Sequence, residues 1–320
     1  MENYPNTSKE FQSQFVDEQD CINYLIQVRW PDGYVCPFCG AKESFWFTER
    51  YLLKCSKCRR RHSILSDTVF QGTHTPLLAW FRIMWHICLQ KNGYSALSIQ
   101  RSLGISYPTA WLCLHKLRKA MVHNDQDLLS GEVEVDECYV GGVCKGRRGR
   151  GGDGKSIVMV AAEKRILPKT GRTVFGRIRL RCISNVSSEV LCGTIKELIA
   201  PGSTICTDGW KGYKRLQSEG YCHIVFRQST KKDKTPFESD IQVNDDSSLP
   251  LCHRAISLLN RWILGTLQGS IGKDHVQDYL NEFTFRFNRR SSKYRGKLFW
   301  RLVQMTLNHL PTTQHEITKH

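Results

Sequence analysis

Three acidic residues stand where carboxylates could bind metal ions for chemistry at phosphorus. Asp136 lies inside the strand-like run EVEVDECYV, where an unpaired charge would be costly. Asp208 directly follows the apolar run STICT, and in α/β layers ligands bind beyond the carboxyl ends of strands. Glu282 is the acid of a helix-like stretch that is otherwise aromatic and basic. If folding brings the three together, they would hold two Mg2+ (or Mn2+) ions about 3.5–4 Å apart, the arrangement used for in-line phosphoryl transfer.

Basic residues follow the third acid. Arg286 and Arg289 lie four and seven residues after Glu282, so on a helix they share its face. We expect their guanidinium groups to bind the DNA phosphate beside the metal ions. The stretch from Arg286 through Arg290 to Arg301 holds seven Lys or Arg and no acid, which would suit donor or target DNA. A solvated basic tail is the alternative.

Three further glutamates flank the first aspartate. Glu132, Glu134 and Glu137 are expected to be ordinary surface residues, as an isolated acid usually is. Glu134 nevertheless shares the strand face of Asp136, because side chains alternate along a strand.

Four of the fourteen cysteines have the spacing of zinc ligands. Cys36 and Cys39 form one C-x2-C pair, and Cys55 and Cys58 form a second after fifteen intervening residues. Each pair places two sulfurs on one tight turn, and four thiolates close a tetrahedral shell around Zn2+. No ligand position stays open for catalysis, so the expected role of zinc is structural. Short strands at 44–47 and 51–54 would form the hairpin between the pairs.

Two basic segments are predicted to bind DNA phosphate. One segment lies in and directly after the Cys55–Cys58 pair, and the other is a glycine-rich loop at 145–155. The residues concerned are Lys57, Arg59, Arg60 and Arg61 in the first segment, and Lys145, Arg147 and Arg148 in the second. A solvated charged face is the alternative for the first segment.

The stretch from 95 to 121 has the pattern of helix, turn, helix. Gly104 suits the C-terminal cap of the first helix, and Ser106 suits the N-cap of the second, with Pro108 in its first turn. In a DNA-binding helix-turn-helix motif the second helix enters the major groove with an exposed basic face. That face would consist of His115, Lys116, Arg118 and Lys119. An ordinary helical hairpin is the alternative.

The overall charge indicates a polyanionic partner. Lys and Arg number 46 against 30 Asp and Glu, a formal net charge of +16. Nucleic acid would neutralise it, although a membrane surface or ribosomal RNA explains the charge equally well. No apolar run approaches the roughly 18 residues needed to span a bilayer, and the polar N-terminus lacks the apolar centre of a signal peptide. The cysteines outside the two pairs are typical of buried thiols in a reducing cytoplasm.

From about residue 130 the pattern alternates between strands and helices. The order is three strands, helix, strand, helix, strand and helix, which predicts an α/β fold of the RNase H type. The predicted domains are an N-terminal helical segment at 1–35, a zinc ribbon at 36–72, a helix-turn-helix-like DNA-binding region at 75–125, a catalytic domain at 130–292 and a basic C-terminal tail at 293–320.

Several motifs in this order are similar to those of a known family. The cysteine pairs, GEVEVDECYVGG, ICTDGWKGY, HRAISLLNRWILGT and YLNEFTFRFNRR together resemble bacterial insertion-sequence transposases of the zinc-ribbon DDE group (ISXO type), relatives of the Merlin DNA transposons. The resemblance spans roughly residues 15 to 300. It implies an RNase H-like core, Mg2+-dependent DNA cleavage and strand transfer, and binding to terminal inverted repeats. The three acids of such enzymes fall on Asp136, Asp208 and Glu282, and the accompanying arginines on Arg286 and Arg289.

One motif departs from related subgroups of that family. They place an Asn-x-Lys pair at positions that read Leu258 and Asn260 here, so a phosphate-binding cation is missing at Asn260. The missing Asn favours Glu282 as the third metal ligand. His253 is a further candidate near the site, and a helix-cap or surface histidine is its equal alternative.

The interpretation that these observations favour is a transposase acting on double-stranded DNA at terminal inverted repeats and target sites. Because two ends must be brought together, we expect a homodimer or a larger synaptic assembly, located in the bacterial cytoplasm at the nucleoid and without a membrane partner. The alternatives are a zinc-ribbon transcription factor with a non-catalytic α/β domain, and a structure-specific nuclease without strand transfer.

Overall fold

The described part of the chain forms two compact units. The computed structural model describes residues 3–42, 45–49 as backbone, 51–122, 128–141, 155–168, 170–226, 249–269 and 271–319. Unit 1 consists of Met1–His123 with Ser291–His320, and unit 2 is Asn124–Arg290. Among the described residues, no helix combines the length and the apolar composition that crossing a bilayer requires.

Helices and strands follow one another along both units. The α-helices are α1 (Ser8–Gln14), α2 (Glu18–Arg29), α3 (Leu77–Leu89), α4 (Ala96–Leu103), α5 (Tyr107–Ala120), α6 (Ser188–Leu198), α7 (Pro250–Leu267), α8 (Val276–Asn288), α9 (Arg295–Asn308) and α10 (Gln314–Thr318). The strands are β1 (Phe45–Glu49), β2 (Leu52–Cys55), β3 (Arg61–Ser63), β4 (Glu132–Val140), β5 (Ser156–Ile166), β6 (Thr173–Ile183), β7 (Thr204–Thr207) and β8 (Cys222–Val225).

The helical part of unit 1 surrounds α3. Its sequence LLAWFRIMWHICL is apolar on nearly every face, and such a helix is stable only when it is buried all round. Helices α2, α5 and α9 pack against it. Neighbouring rings in this core have centroids 4.9–6.0 Å apart, and they belong to Phe11, Phe15, Tyr24, Phe81 and Phe299.

The region after residue 293 is not the basic tail that the sequence predicts. Its main element, α9, contributes Leu298, Phe299, Leu302 and Val303 to the core of unit 1, where all four are buried. These residues recur at helical spacing and form the apolar face of an amphipathic helix. The prediction of a basic tail was wrong because it rested on the dense positive charge of the segment and not on this periodicity.

The helix pair at 95–121 has the local structure predicted for it. The Ser95 side chain caps α4, and Gly104 ends that helix in the left-handed region with φ 67°. Ser106 accepts the backbone N–H of Thr109 and so caps α5, with Pro108 in the first turn. The Ser95 and Ser106 side chains satisfy N–H groups that the first turn of each helix leaves without an intrahelical partner.

Unit 2 is built on a five-stranded mixed sheet of order β6-β5-β4-β7-β8. Strands β4, β5 and β6 pair antiparallel, whereas β7 pairs parallel to β4, and β8 parallel to β7. The parallel connection from β6 to β7 passes through α6, as parallel strands require a crossover. The prediction of an α/β layer is confirmed at this level.

The two faces of this sheet carry separate cores. Val133 and Val135 of β4 belong to the core that packs on α6, and Cys138 and Val140 belong to the core under α7 and α8. Because side chains alternate along a strand, Asp136 lies on the same side as α7.

Helix α8 closes the free edge of β6. The Gln277 amide accepts the N–H of Cys182 at 2.8 Å and donates to the carbonyl of Leu180 at 3.2 Å. The Asn288 amide makes the same two kinds of bond with Ile178, at 2.8 and 3.0 Å. These side chains replace the neighbouring strand that an edge lacks, and they fix α8 at the β6 side of the sheet.

Candidate metal centres and nucleic-acid surface

Four cysteines of unit 1 converge on one point. All four sulfurs lie within 4.8 Å of one another, with 3.6 Å between Cys36 and Cys58 and 3.8 Å between Cys39 and Cys55. Sulfurs held 2.3 Å from one tetrahedral zinc ion lie about 3.8 Å apart, so the cluster fits structural Zn2+. Burial alone would raise the pKa of the Cys36 thiol, but the backbone N–H groups of Phe38 and Cys39 hold it below its usual range. The thiolate is therefore favoured at Cys36. At Cys39 the N–H of Ala41 lowers the pKa, but desolvation and the neighbouring thiols outweigh it and raise the pKa to about 11.

The strands around these cysteines form a small antiparallel sheet of order β1-β2-β3. The first two strands are the hairpin expected between the cysteine pairs, displaced by one or two residues from the predicted bounds. The third, β3, was not predicted because it is only three residues long. Gly40 directly after the first pair has φ 66°, in the left-handed region that such a turn favours.

Beside the zinc cluster lies an exposed basic and aromatic patch. The guanidinium of Arg60 lies 5.3 Å from the ring centroid of Phe38, and that ring is 49% exposed. We call the patch the ribbon surface, and its residues are Phe38, Lys57, Arg59, Arg60 and Arg61, all exposed. Phosphate contact by these side chains is compatible with their positions.

Helix α5 does not present the basic face expected of it. Lys116 is 9% exposed and Arg118 2%, and His115 is fully buried. Lys119 is half-buried. Because α3, α4, α9 and α10 all pack against α5, the helix cannot lay its length in a DNA groove, and the expected exposure of Lys116 and Arg118 was wrong. Its N-terminal turn, 106–108, is exposed.

The two aspartates belong to neighbouring parallel strands of unit 2. In the β4–β7 pair Glu134 stands opposite Cys206. Asp136 follows two residues later on β4, and Asp208 follows two residues after Cys206, one residue beyond β7. Neighbouring strands are about 4.8 Å apart. The Asp136 side chain is 18% exposed. Asp208, just past the end of β7, is exposed, and its Oδ1 accepts the N–H of Trp210 at 2.9 Å.

The electrostatics of Asp136 fit a cation site. Burial raises the pKa of its carboxyl, the N–H that Glu137 donates to Oδ1 at 2.8 Å offsets part of this rise, and the negative charge of Asp208 adds to it. A divalent cation relieves both the desolvation and the repulsion. Two adjacent carboxylates are also the oxygen donors that Mg2+ and Mn2+ prefer.

A histidine completes the surroundings of Asp136. His253, in the first turn of α7, places Nε2 3.5 Å from Oδ2 of Asp136. The start of α7 is fixed by Glu134, whose buried carboxylate accepts the N–H groups of Leu251 at 2.7 Å and Cys252 at 2.9 Å. An acid at this position satisfies N–H groups that the helix leaves unbonded and favours the helix dipole.

A shallow groove of about 870 Å3, lined by α7 alone and widely open to solvent, begins at this histidine and runs along the exposed face of the helix. Asn260 and Arg261 are both exposed there, so Arg261 presents a cation close to the position where related subgroups have lysine. The lining residues are His253, Ile256, Ser257, Asn260, Arg261, Leu264 and Gly265.

The structure does not bring Glu282 to the two aspartates. The ligand atoms of Asp136, Asp208 and Glu282, three described residues, do not all lie within 4.8 Å of one another, and the same is true of Asp136, Asp208 and His253. Glu282 is fully buried on α8 and pairs with Arg286, with 3.2 Å between Oε1 and Nε. Helix α8 packs at β6, and β6 is two strand spacings, or about 10 Å, from β4. Within unit 2, Glu282 is thus placed in a buried ion pair that stabilises the fold.

The arginines of α8 are held against aromatic rings. The guanidinium of Arg286 lies 4.8 Å from the ring centroid of Trp262 on α7, and that of Arg289 lies 4.3 Å from Phe285. Arg290 donates to backbone carbonyls of β6. The contacts of Arg286 and Arg290 join α8 to its neighbours, and the contact of Arg289 lies within α8. None of them is the phosphate contact expected beside the metal ions. Lys145, Arg147 and Arg148 lie outside the described residues.

Two contributors to this site had not been predicted. Glu134 was expected to be a surface residue, but it is buried. The sequence feature that indicated this was its position on the same strand face as Asp136. The second is Tyr213, whose hydroxyl donates to the carboxylate of Glu137. Burial raises the pKa of Tyr213 well above its usual range, so it remains a donor. Both contacts immobilise β4 on either side of Asp136.

Two parts of the chain match known transposase domains. Residues 128–288 match the ISXO2-like transposase domain, and residues 16–61 match the transposase zinc-ribbon domain. A protein of Halobacterium salinarum, described as an uncharacterized protein in transposable element ISH50, is 27% identical over 297 residues, which is 85% of this chain and 91% of the relative.

Proposed function

The chain belongs to the ISXO2-like transposase family, and we propose that it cleaves and rejoins DNA at the terminal inverted repeats of an insertion sequence. The observation that carries this proposal is the pair of carboxylates formed by Asp136 on β4 and Asp208 just past the end of the adjacent parallel strand β7. The family indicates the class of reaction, and these two residues are the proposed site at which it occurs.

The proposed catalytic fold is RNase H-like. Counted within unit 2, the strand order is 3-2-1-4-5, with the first three strands antiparallel and the last two parallel to the first. The order supports the proposal because it places the first and fourth strands side by side. Asp136 and Asp208 come from those two strands, although they are far apart in sequence.

In the proposed mechanism Asp136 and Asp208 bind and orient Mg2+ or Mn2+. Such an ion, when bound, lowers the pKa of its water and stabilises the charge that develops on the phosphoryl group. The N–H of Glu137 holds the Asp136 carboxylate in one orientation, and the N–H of Trp210 does the same for Asp208. Arg261, exposed along the groove, would bind a phosphate of the reacting strand.

DNA binding is proposed to involve the ribbon surface as well. Its four cations are anchored by the zinc cluster, and exposed Phe38 adds a ring that a sugar or a base can contact. The net charge of +16 supports a polyanionic partner. Because a transposon has two ends, we further propose that a dimer or larger synaptic assembly performs the reaction.

The experiment is a strand-joining assay with purified full-length protein and DNA that carries the inverted repeats of the element. We expect nicked and joined products that require Mg2+ or Mn2+. Asp136→Asn and Asp208→Asn should each abolish them while DNA binding persists. The matched control is Asp274→Asn, since Asp274 is exposed in a short turn before α8 and should be dispensable.

The other outcomes discriminate among the remaining functions. Undiminished products in the Asp208→Asn variant would refute the site. Sequence-specific binding without metal-dependent cleavage would instead favour the zinc-ribbon transcription factor. Nicking without joined products would favour a structure-specific nuclease.

A further inference from the structure

The surroundings of Asp136 contain a ligand atom that is not an oxygen. His253 approaches Asp136 with Nε2 3.5 Å from Oδ2. Two ligand atoms about 2.1 Å from one ion lie about 3.0 Å apart at a right angle and about 3.4 Å apart at a tetrahedral angle. The observed separation therefore needs a shift of only a few tenths of an ångström for both atoms to bind one cation.

His253 is held in this position by the fold. The residue before it, Cys252, is fully buried, and its N–H is bonded to Glu134. Glu134 lies two residues from Asp136 on the same face of β4. The backbone that carries the imidazole is therefore fixed to the strand that carries the carboxylate.

The ring is also accessible to an ion. The His253 side chain is 56% exposed at the mouth of the groove, whereas Asp136 is 18% exposed. A cation arriving from the groove would meet the imidazole, then the carboxylate of Asp136, with exposed Asp208 on the neighbouring strand. Glu282, buried in its pair with Arg286, offers no comparable access.

From this geometry we propose that His253 binds the catalytic cation together with Asp136, in place of a third carboxylate. The ligand atoms of Asp136, Asp208 and His253 do not all lie within 4.8 Å of one another, so the exposed side chain of Asp208 must turn toward the other two to complete the site. The proposal rests on the proposed function. Imidazole nitrogen binds divalent first-row transition metals better than it binds Mg2+, and this includes Mn2+ although it is the weakest binder of that series. The site should therefore prefer Mn2+ over Mg2+ more strongly than an all-carboxylate site would.

The test uses full-length, tag-free protein loaded with zinc and titrated with Mn2+. Pulsed electron paramagnetic resonance detects coupling between Mn2+ and a directly bound nitrogen. We expect a nitrogen coupling in the wild type that disappears in His253→Ala, together with a loss of Mn2+ affinity of about tenfold or more. The zinc ligands are all sulfur, so the ribbon cannot supply the signal.

A second variant separates a ligand from a merely neighbouring residue. His253→Asp replaces the nitrogen by an oxygen donor, and we expect it to lose the coupling, retain Mn2+ binding and bind Mg2+ more tightly than the wild type. Mn2+ binding that depends on Asp136 but shows no nitrogen coupling in the wild type would overturn the proposal and leave the proposed function intact. No Mn2+ binding that depends on Asp136 and Asp208 would overturn both.

Discussion

The carboxylate of Glu134 accepts the backbone N–H of Cys252 at 2.9 Å, which joins the middle of β4 to the start of α7. Through this bond a strand and a helix far apart in sequence bring Asp136 and His253 together. Glu134 itself touches neither the groove nor solvent to any extent, since it is 7% exposed. Its role is to position the residues around it.

Removing this acid should loosen the site. Glu134→Ala leaves two N–H groups at the start of α7 without an acceptor, and we expect a loss of about 2 kcal/mol in the free energy of unfolding. Mn2+ affinity should fall as well, because His253 is no longer fixed. Chemical denaturation and Mn2+ titration measure the two effects. Glu132→Ala is the control: Glu132 pairs with Lys164 at the surface, and its loss should cost at most about 1 kcal/mol. Equal effects of the two variants would contradict the positioning role.

Glu282 should prove structural. Glu282→Gln breaks a buried ion pair with Arg286, so we expect a loss of about 3 kcal/mol in the free energy of unfolding. Mn2+ affinity, measured at a temperature where the variant remains folded, should be unchanged. If the folded variant instead loses Mn2+ binding as completely as Asp136→Asn, Glu282 is a metal ligand after all.

The ribbon surface should contribute to DNA affinity through charge. Replacing Arg59, Arg60 and Arg61 by Gln should weaken binding and reduce the slope of log K against log salt by about 2 to 3, since each phosphate contact contributes about 0.9. A salt titration of binding measures this slope. A matched variant with Lys9, Arg82 and Lys91 replaced by Gln removes the same charge from other exposed positions of unit 1. A similar slope in both variants would show that only net charge matters.

Zinc should be required for the ribbon. Cys39→Ser removes one of four thiolates, and we expect it to abolish stoichiometric zinc and the hydrogen-exchange protection of β1, β2 and β3, because structural zinc sites supply the folding energy of such small modules. Cys222→Ser, at an exposed cysteine of unit 2, should keep both. A Cys39→Ser protein with full zinc content would exclude this cluster as the site.

Local features of this protein could be predicted from the sequence, whereas features that depend on packing could not. The cysteine pairs, the caps at Gly104 and Ser106, and the strand that holds Asp136 are encoded within a few residues of each position. The burial of Lys116 depends on which helices cover α5, and no periodicity within α5 reports that.

The proposed third metal ligand illustrates the same limit within the site. Glu282 and His253 both follow Asp208 in the chain, and both stand on helix-like segments. Which of them meets Asp136 depends on α7 packing over β4 while α8 packs at the edge of β6. The bond from Glu134 to α7, which fixes the start of that helix against β4, has no sequence signature apart from its strand face.

The most direct measurement of the central claim is the amount of Mn2+ bound by the wild type, Asp136→Asn and Asp208→Asn, counted by electron paramagnetic resonance with the zinc cluster loaded. If the two carboxylates share a cation, each single replacement should lower Mn2+ affinity by about tenfold or more. Unchanged Mn2+ binding in both variants would contradict the claim that Asp136 and Asp208 form the catalytic metal site.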